Sequence, residues 1–269
     1  MSFSIAGKTA VVTGAANGVG LAIARHFHAR GANVMFADKH EDKLIKEVGS
    51  VDDDDEGTLG YFAGDLREKL NVTNLLSATL DRFDRVDILV NGSRQMLSSD
   101  PLSADDDLVT KLLNQNLMTS LRLTQVFAKR MIKQAQKDGN DGPAGSIINM
   151  SSIAARRTQP DLLAYSVSSA AVDQMTRSMA VALAPNRIRV NAIALGSVMS
   201  ASLKGALDEH EEFRDEIIDS TPLARIASPT ELADVAQFLA SDGSGFMTGQ
   251  ILTVDGGRTL VDAADAPAH

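Results

Sequence analysis

Short apolar runs alternate along the chain with longer amphipathic stretches. The short runs have strand length and lie at residues 9–13, 33–37, 59–63, 86–91, 146–150, 189–194 and 251–254. Between them, apolar residues recur at helical spacing in residues 18–30, 68–83, 104–137, 162–183 and 230–240. Ser228 and Pro229 precede the last of these as a helix N-cap and a first-turn residue.

This alternation predicts the fold class. Parallel strands joined by helices require right-handed crossovers, which place helices on both faces of the sheet. We therefore predict an α/β, doubly wound (Rossmann-type) sheet of seven parallel strands in a single domain, residues 1–269. In such a sheet, a ligand binds at the carboxyl ends of the strands.

The composition limits the classes of function. With no cysteine, the chain forms no disulfide or thiolate metal site, and its five histidines offer no spaced set of metal ligands. A net charge of −9 disfavours binding along a nucleic-acid backbone. No apolar run is long enough to span a membrane and the first residues lack a signal-peptide pattern, so we expect a cytoplasmic protein. We interpret the acidic run at residues 52–56 as a solvated loop rather than a cation site.

A glycine-rich turn follows the first predicted strand and leads into the first predicted helix. Its glycines are Gly14, Gly18 and Gly20. Glycine allows a tight turn and lets backbone N–H groups and the helix N-terminus approach a pyrophosphate. The turn therefore predicts a dinucleotide site.

Asp38 ends the second predicted strand, where a carboxylate can accept hydrogen bonds from an adenosine ribose and repel a 2′-phosphate. This position predicts NAD as the cofactor. Lys39 and Arg94 keep NADP open as the second choice.

These motifs resemble the short-chain dehydrogenase/reductase family over residues 5–259, nearly the whole chain. The segment TGAANGVG is similar to the family's TGxxxGxG loop, SIINMSS to the strand that ends in its catalytic serine, and NQNL to the segment of its catalytic asparagine. Beside the three glycines and Asp38, the resemblance implies cofactor contacts at Asn17, Val19, Asp65, Leu66, Asn91, Tyr165, Gly196 and Val198.

The resemblance also implies a reaction, which is hydride transfer between a nicotinamide ring and a carbinol carbon. In this assignment Tyr165 exchanges the hydroxyl proton, Ser152 holds the substrate oxygen and Asn116 anchors a water relay. The substrate is then a small secondary alcohol or ketone.

One position departs from the family. Its tyrosine is followed four residues later by a lysine, and here that position is Ser169, which can keep a hydrogen bond to the ribose but brings no charge. A phenol has an unperturbed pKa near ~10 and is a poor acid or base at neutral pH without a nearby cation or hydrogen-bond network. Arg94, which replaces a family glycine, and Arg156 and Arg157 beyond the serine are the candidate substitutes.

Two hypotheses follow. The first is an NAD(H)-dependent oxidoreductase, impaired by the loss of the lysine unless another cation replaces it. The second is a catalytically weak or inactive dinucleotide-binding protein that acts as a sensor, a scaffold or a partner subunit.

Two further expectations concern assembly and access. In the family, the helices that correspond to residues 104–137 and 162–183 pack against a symmetry mate, and the first carries a wide leucine stripe, so we expect a homodimer or homotetramer. Residues 199–220 are predicted to form a substrate lid, or else a solvated amphipathic helix pair. Residues 261–269 form an Ala- and Asp-rich tail.

Overall fold

The computed structural model describes residues 3–49, 57–103, 105–139, 141–210 and 212–262. Its seven-stranded parallel sheet consists of β1 (Thr9–Thr13), β2 (Asn33–Asp38), β3 (Leu59–Ala63), β4 (Ile88–Asn91), β5 (Gly145–Ser152), β6 (Ile188–Leu195) and β7 (Ile251–Val254). The strand order is β3-β2-β1-β4-β5-β6-β7. The doubly wound prediction is confirmed, with the change of direction between β1 and β4.

Helices cover both faces of the sheet. They are α1 (Gly18–Ala29), α2 (Glu41–Val48), α3 (Lys69–Phe83), α4 (Leu108–Leu112), α5 (Thr119–Asp138), α6 (Leu163–Leu183), α7 (Ala201–Glu209), α8 (Glu212–Asp219) and α9 (Pro229–Ala240). The acidic run at residues 52–56 and residues 263–269 of the predicted tail lie outside the described residues. No described helix combines the length and the apolar character that crossing a membrane requires.

Two apolar clusters hold the layers together. Phe27 of α1 and Leu232 of α9 belong to the cluster on one face, and Leu75 of α3 with Phe127 and Met131 of α5 belong to the other; all five are fully buried. Burying a side chain of this size contributes roughly 1.5–3 kcal/mol. This packing fixes the carboxyl ends of the strands, where the loops that carry polar side chains begin.

The stretch predicted as one helix, residues 104–137, is interrupted. Between α4 and α5, residues Leu113–Met118 form a π-helical turn. Two side-chain hydroxyl groups donate hydrogen bonds to backbone carbonyl oxygens of this wide turn. Thr119 Oγ1 donates to Asn114 O (3.1 Å), and Ser120 Oγ donates to Asn116 O (2.8 Å). Apolar periodicity does not reveal such a turn, which is frequent at functional sites.

Helix α9 begins with the predicted N-cap, Ser228. Glu231 Oε2 accepts a hydrogen bond from Ser228 N (2.8 Å), and both Glu231 oxygens pair with Arg225 at 2.7 Å. The Arg225 guanidinium, and then the Ser228 amide, lower the pKa of Glu231 from 4.5 to about 2.

We expect Glu231→Gln to lower the melting temperature slightly at neutral pH, by about 1–2 °C. The stabilisation is present above the carboxyl's unfolded pKa of 4.5 and is lost as pH falls through about 2. The difference between the two proteins should therefore close between about pH 5 and pH 2. Thermal unfolding followed by circular dichroism measures it, and a gap that does not change with pH contradicts this assignment.

Candidate functional site

A cleft of about 1050 Å³ runs along the carboxyl ends of the strands. Its wall includes Gly14 after β1, Asp38 at the end of β2, Ser152 at the end of β5 and Gly196 after β6. The cleft therefore crosses the point where the strand order changes direction, which is where doubly wound folds bind ligands.

The glycine turn is built so that only glycine fits at two of its positions. Gly14 has φ +72°, and a Cβ there would lie 2.7 Å from Gly92 O; a Cβ on Gly20 would lie 2.2 Å from Gly14 O. Gly18 also has a positive φ of +56°. Asn17 precedes α1 in an extended conformation and makes no side-chain cap bond, so the first N–H groups of the helix are left for a ligand.

Asp38 is held rigidly in the cleft wall. Its Oδ2 accepts a hydrogen bond from Ala16 N (3.2 Å), and its Oδ1 accepts one from His40 N (3.1 Å) and lies 2.8 Å from His40 Nδ1. A carboxylate has about four acceptor sites, and these three contacts leave one of them, on Oδ2, for a ribose hydroxyl.

Asp65 and Leu66 follow β3 and line the same end of the cleft. Arg67 Nε donates to both oxygens of Asp65, at 3.0 and 2.9 Å, and this hydrogen bonding lowers the pKa of the Asp65 carboxyl. The carboxylate is thus ionised and fixed in orientation.

These residues fit a nicotinamide dinucleotide. The turn supplies a cradle that a Cβ would fill, the helix N-terminus suits a pyrophosphate, and Asp38 suits a ribose. Of the predicted contacts, Gly14, Asn17, Gly18, Val19, Gly20, Asp38, Asp65, Leu66, Tyr165, Gly196 and Val198 all line the cleft. The side chain of Asn91 does not, because its Nδ2 donates to Asn149 Oδ1 (2.7 Å) in the layer beneath, and Gly92 lines the cleft in its place.

Tyr165 and Arg94 meet in the cleft. Tyr165, on α6, is 3% exposed, and its hydroxyl accepts a hydrogen bond from Arg94 Nη1. The guanidinium carbon of Arg94 lies 5.8 Å from the ring centroid. Ser169, one turn further along α6, is buried and is not among the residues that line the cleft.

The side chains of the other two candidate arginines form their hydrogen bonds with groups other than the phenol. Arg156 donates to Thr253 Oγ1 (2.7 Å) and lies 3.6 Å from the carboxylate of Asp173. Arg157 donates to the carbonyl of Thr259. The cation beside the phenol is therefore Arg94.

Asn116 lies within the π-helical turn and fastens the chain beside Arg94. Its Oδ1 accepts from Gln95 N (2.8 Å), and its Nδ2 donates to Gln95 O (2.9 Å) and to Ser168 Oγ (3.0 Å). Ser168 Oγ in turn donates to Tyr165 O (2.9 Å). The Asn116 side chain thus links the segment that carries Arg94 to the first turns of α6, which carry Tyr165.

Ser152 ends β5 and lines the cleft, where its Oγ accepts a hydrogen bond from Ala154 N (3.1 Å). The motifs did not single out two other residues of the wall, Gln95 and Arg258. Arg258 lies just past β7, and its position after a strand end is the one sequence signal that could have identified it.

Comparisons with known proteins agree with this geometry. The family profile described as enoyl-(acyl carrier protein) reductase matches residues 14–259. The chain is 32% identical over 260 residues to 3-oxoacyl-(acyl-carrier-protein) reductase FabG of Thermotoga maritima, a match that covers 94% of this chain and 98% of that protein.

Two solved structures are similar over nearly the whole chain. A gluconate 5-dehydrogenase from Burkholderia cenocepacia, in complex with NADP and tartrate, has a TM-score of 0.86 and 29% identity, covering 97% of this chain and 98% of its own. A 7α-hydroxysteroid dehydrogenase complexed with NADH and a 7-oxo bile acid has a TM-score of 0.85 and 28% identity, covering 95% of each chain. The fold, the cleft and these matches together establish that the chain belongs to the short-chain dehydrogenase/reductase family of oxidoreductases.

Proposed function

We propose that the protein is an NAD(H)-dependent oxidoreductase that interconverts a secondary alcohol and a ketone, with Arg94 in the role of the family's lysine. The observation that carries this proposal is the hydrogen bond from the Arg94 guanidinium to the Tyr165 hydroxyl. The bound nicotinamide ring supplies or takes up the hydride.

In this proposal two residues of the chain act on the substrate oxygen, one by a hydrogen bond and one by proton transfer. Ser152 Oγ donates a hydrogen bond to that oxygen, and Tyr165 passes a proton to it during reduction and takes one from it during oxidation. Negative charge develops there in the transition state, and fixed donors in a water-poor pocket stabilise it. Because Tyr165 is 3% exposed, water does little to stabilise a phenolate at this position.

A cation stabilises such a phenolate far more than a neutral hydroxyl does. Unit charges about 4 Å apart attract by roughly 4 kcal/mol near a protein surface, whereas a neutral hydrogen bond contributes about 0.5–1.5 kcal/mol. Ser169 therefore cannot replace the lysine alone, whereas Arg94 can. Asn116 positions Arg94 through its two hydrogen bonds to the Gln95 backbone.

The second candidate function is dinucleotide binding without appreciable turnover, as in a sensor, a scaffold or a partner subunit. One observation favours it, since the Arg94 side chain occupies a position on the Tyr165 hydroxyl where a substrate oxygen would also bind. The two functions predict opposite effects of removing Arg94.

Cofactor binding and turnover together test the proposal. The chain has no tryptophan and two tyrosines, so NADH fluorescence can be titrated with little interference from the protein. We expect saturable NADH binding and NAD(H)-dependent turnover of at least one member of a panel of secondary alcohols and ketones. Binding without turnover would support the second function, and no binding of NADH or NADPH would contradict both.

Asp38 is expected to set the preference for NAD. The wild-type protein should bind NADH at least about tenfold more tightly than NADPH, and Asp38→Asn should narrow that ratio by about tenfold, because the repulsion of the 2′-phosphate is lost. Fluorescence titration measures both affinities. Asp42→Asn removes an exposed carboxylate on α2 and is the control. An equal ratio in the wild type and Asp38→Asn contradicts this role.

We also propose a homodimer or homotetramer. The support is that α6 exposes apolar side chains, with Leu163 at 41%, Val167 at 40% and Val181 at 77%. Sedimentation velocity of the wild type and of Val181→Glu measures the assembly.

A further inference from the structure

The two ends of the cleft differ in charge. Asp38 ends β2 and Asp65 follows β3 at one end, where Lys39 and Arg67 offset their charge, whereas Arg157 and Arg258 follow β5 and β7 at the other. The glycine turn after β1 lies between these ends in the strand order. The basic end is therefore the end that holds Ser152 and Tyr165, where a substrate binds in the proposed function.

Neutral acceptors hold the two arginines. Arg157 Nη2 donates to the carbonyl oxygens of Thr259 and Val261, and Arg258 Nη1 donates to Ser197 Oγ (3.1 Å). In the described part of the chain, neither forms an ion pair within 4.0 Å of a carboxylate. Because a guanidinium has five N–H donors and these bonds use few of them, both groups keep N–H donors for a ligand.

The two positive charges are also tied to the same short turn. Arg157 binds the carbonyl of Thr259, which is the residue next to Arg258. Together with Arg94, the two bring three guanidinium groups to this end of the cleft, where Asp262 is the one acidic residue among the described residues that line it. Such a concentration of positive charge, in a chain with a net charge of −9, favours an anion in the cleft.

The remaining wall of the cleft is mixed in polarity. Its polar side chains include Gln95, Gln115, Thr158, Gln159 and Ser220, and its apolar ones include Met96, Ile153, Leu162, Leu203 and Val261. Such a wall offers both hydrogen bonds and apolar contacts to the body of a substrate, so the charged groups decide which end of the substrate binds here.

We infer that the substrate is a keto acid or hydroxy acid whose carboxylate binds to Arg157 and Arg258. Planar guanidinium groups suit a carboxylate because they can donate two parallel hydrogen bonds. The inference rests on the proposed function for the reaction, in which a keto acid, one NADH and one proton give the hydroxy acid and NAD. The carboxylate sets the position of the keto group against Ser152 and Tyr165.

Matched pairs of ketones test the inference. Acetoacetate, levulinate and 5-oxohexanoate place the keto group at increasing distance from the carboxylate, and the methyl ester of each removes only the charge. NADH oxidation is followed with all six compounds. We expect at least one acid to exceed its ester in kcat/KM by about tenfold or more.

Arg157→Gln and Arg258→Gln should each reduce that acid-to-ester ratio by about threefold, and the double variant should remove it. Arg30→Gln makes the same change of charge at an exposed position after α1 and should leave the ratio unchanged. A purely structural role for the arginines would lower both rates together and leave the ratio intact, which would overturn the inference.

The outcomes separate the inference from the proposed function. If each ester is reduced as fast as its acid, the protein is an oxidoreductase but the anionic substrate is wrong. If no ketone is reduced, the proposed function fails, and binding of the three acids is measured by saturation-transfer NMR in the presence of NADH. Binding of an acid but not its ester, lost in the double variant, supports the anion site; equal or absent binding of both overturns it.

Discussion

Tyr165→Phe is expected to lower kcat by about 10²–10⁴-fold, the range that a positioned proton donor or acceptor contributes. The change removes one oxygen, the atom that accepts the hydrogen bond from Arg94, and leaves the ring in place. NADH affinity should stay within about twofold, because in the proposed function the glycine turn holds the pyrophosphate and Asp38 the ribose, and Tyr165→Phe changes neither. Steady-state rates and fluorescence titration measure the two quantities.

The chain provides a matched control for this change. Tyr61 is the other tyrosine and lies on β3, 40% exposed and outside the cleft wall. Tyr61→Phe should leave kcat unchanged. If Tyr165→Phe also leaves kcat unchanged, the proton passes through another group and the assignment of Tyr165 is wrong.

Arg94→Met is expected to lower kcat by about 10²–10³-fold, the cost of removing one fixed donor from developing negative charge. Methionine keeps much of the apolar stem and removes the charge. Arg94→Lys should retain part of the activity, because a lysine keeps the charge but not the planar geometry. Arg30→Met, at an exposed position after α1, is the control and should be neutral.

The alternative function predicts the reverse. If Arg94 blocks the position of the substrate oxygen, Arg94→Met should open the site and raise turnover from a low wild-type level. If Arg94→Met equals the wild type, then the guanidinium neither assists nor blocks the reaction. Measuring kcat and KM separately distinguishes a lost catalytic contact, which lowers kcat, from a change in substrate binding.

The architecture could be predicted from the sequence because its signals are local. Strand-length apolar runs alternate with helical periods, and this pattern predicts the parallel sheet and its ligand-binding edge. The glycine turn and Asp38 could also be predicted as cofactor-binding residues, because the turn follows the first strand and Asp38 ends the second. The structure also shows why glycine is required at positions 14 and 20, because a Cβ at either position would clash with a neighbouring backbone carbonyl.

The partner of the phenol could not be predicted, because it depends on a contact between distant parts of the chain. Three arginines were candidates on the sequence alone, and 71 positions separate Arg94 from Tyr165. Asn116, which lies in the π-helical turn, holds the residue next to Arg94 through two hydrogen bonds to the Gln95 backbone. Neither these hydrogen bonds nor the π-helical turn has a periodic signature in the sequence.

The burial of Asn91 is a second case of this kind. The resemblance to the family implied a cofactor contact at Asn91, and the structure shows that its side chain binds Asn149 and Thr124 below the cleft, so a contact through this side chain is not available. Successive residues of a strand point to opposite faces, and the sequence gives no sign of which face a polar strand end takes.

The central claim is that Arg94 supplies the positive charge that the family's lysine provides. The most direct measurement is kcat for the wild type, Arg94→Met, Ser169→Lys and the double variant, at saturating NADH and one ketone substrate. The account predicts a large loss in Arg94→Met that Ser169→Lys restores to within about tenfold of the wild type, because the charge returns from the next helical turn. Equal rates in all four proteins, or a double variant as slow as Arg94→Met, would contradict it.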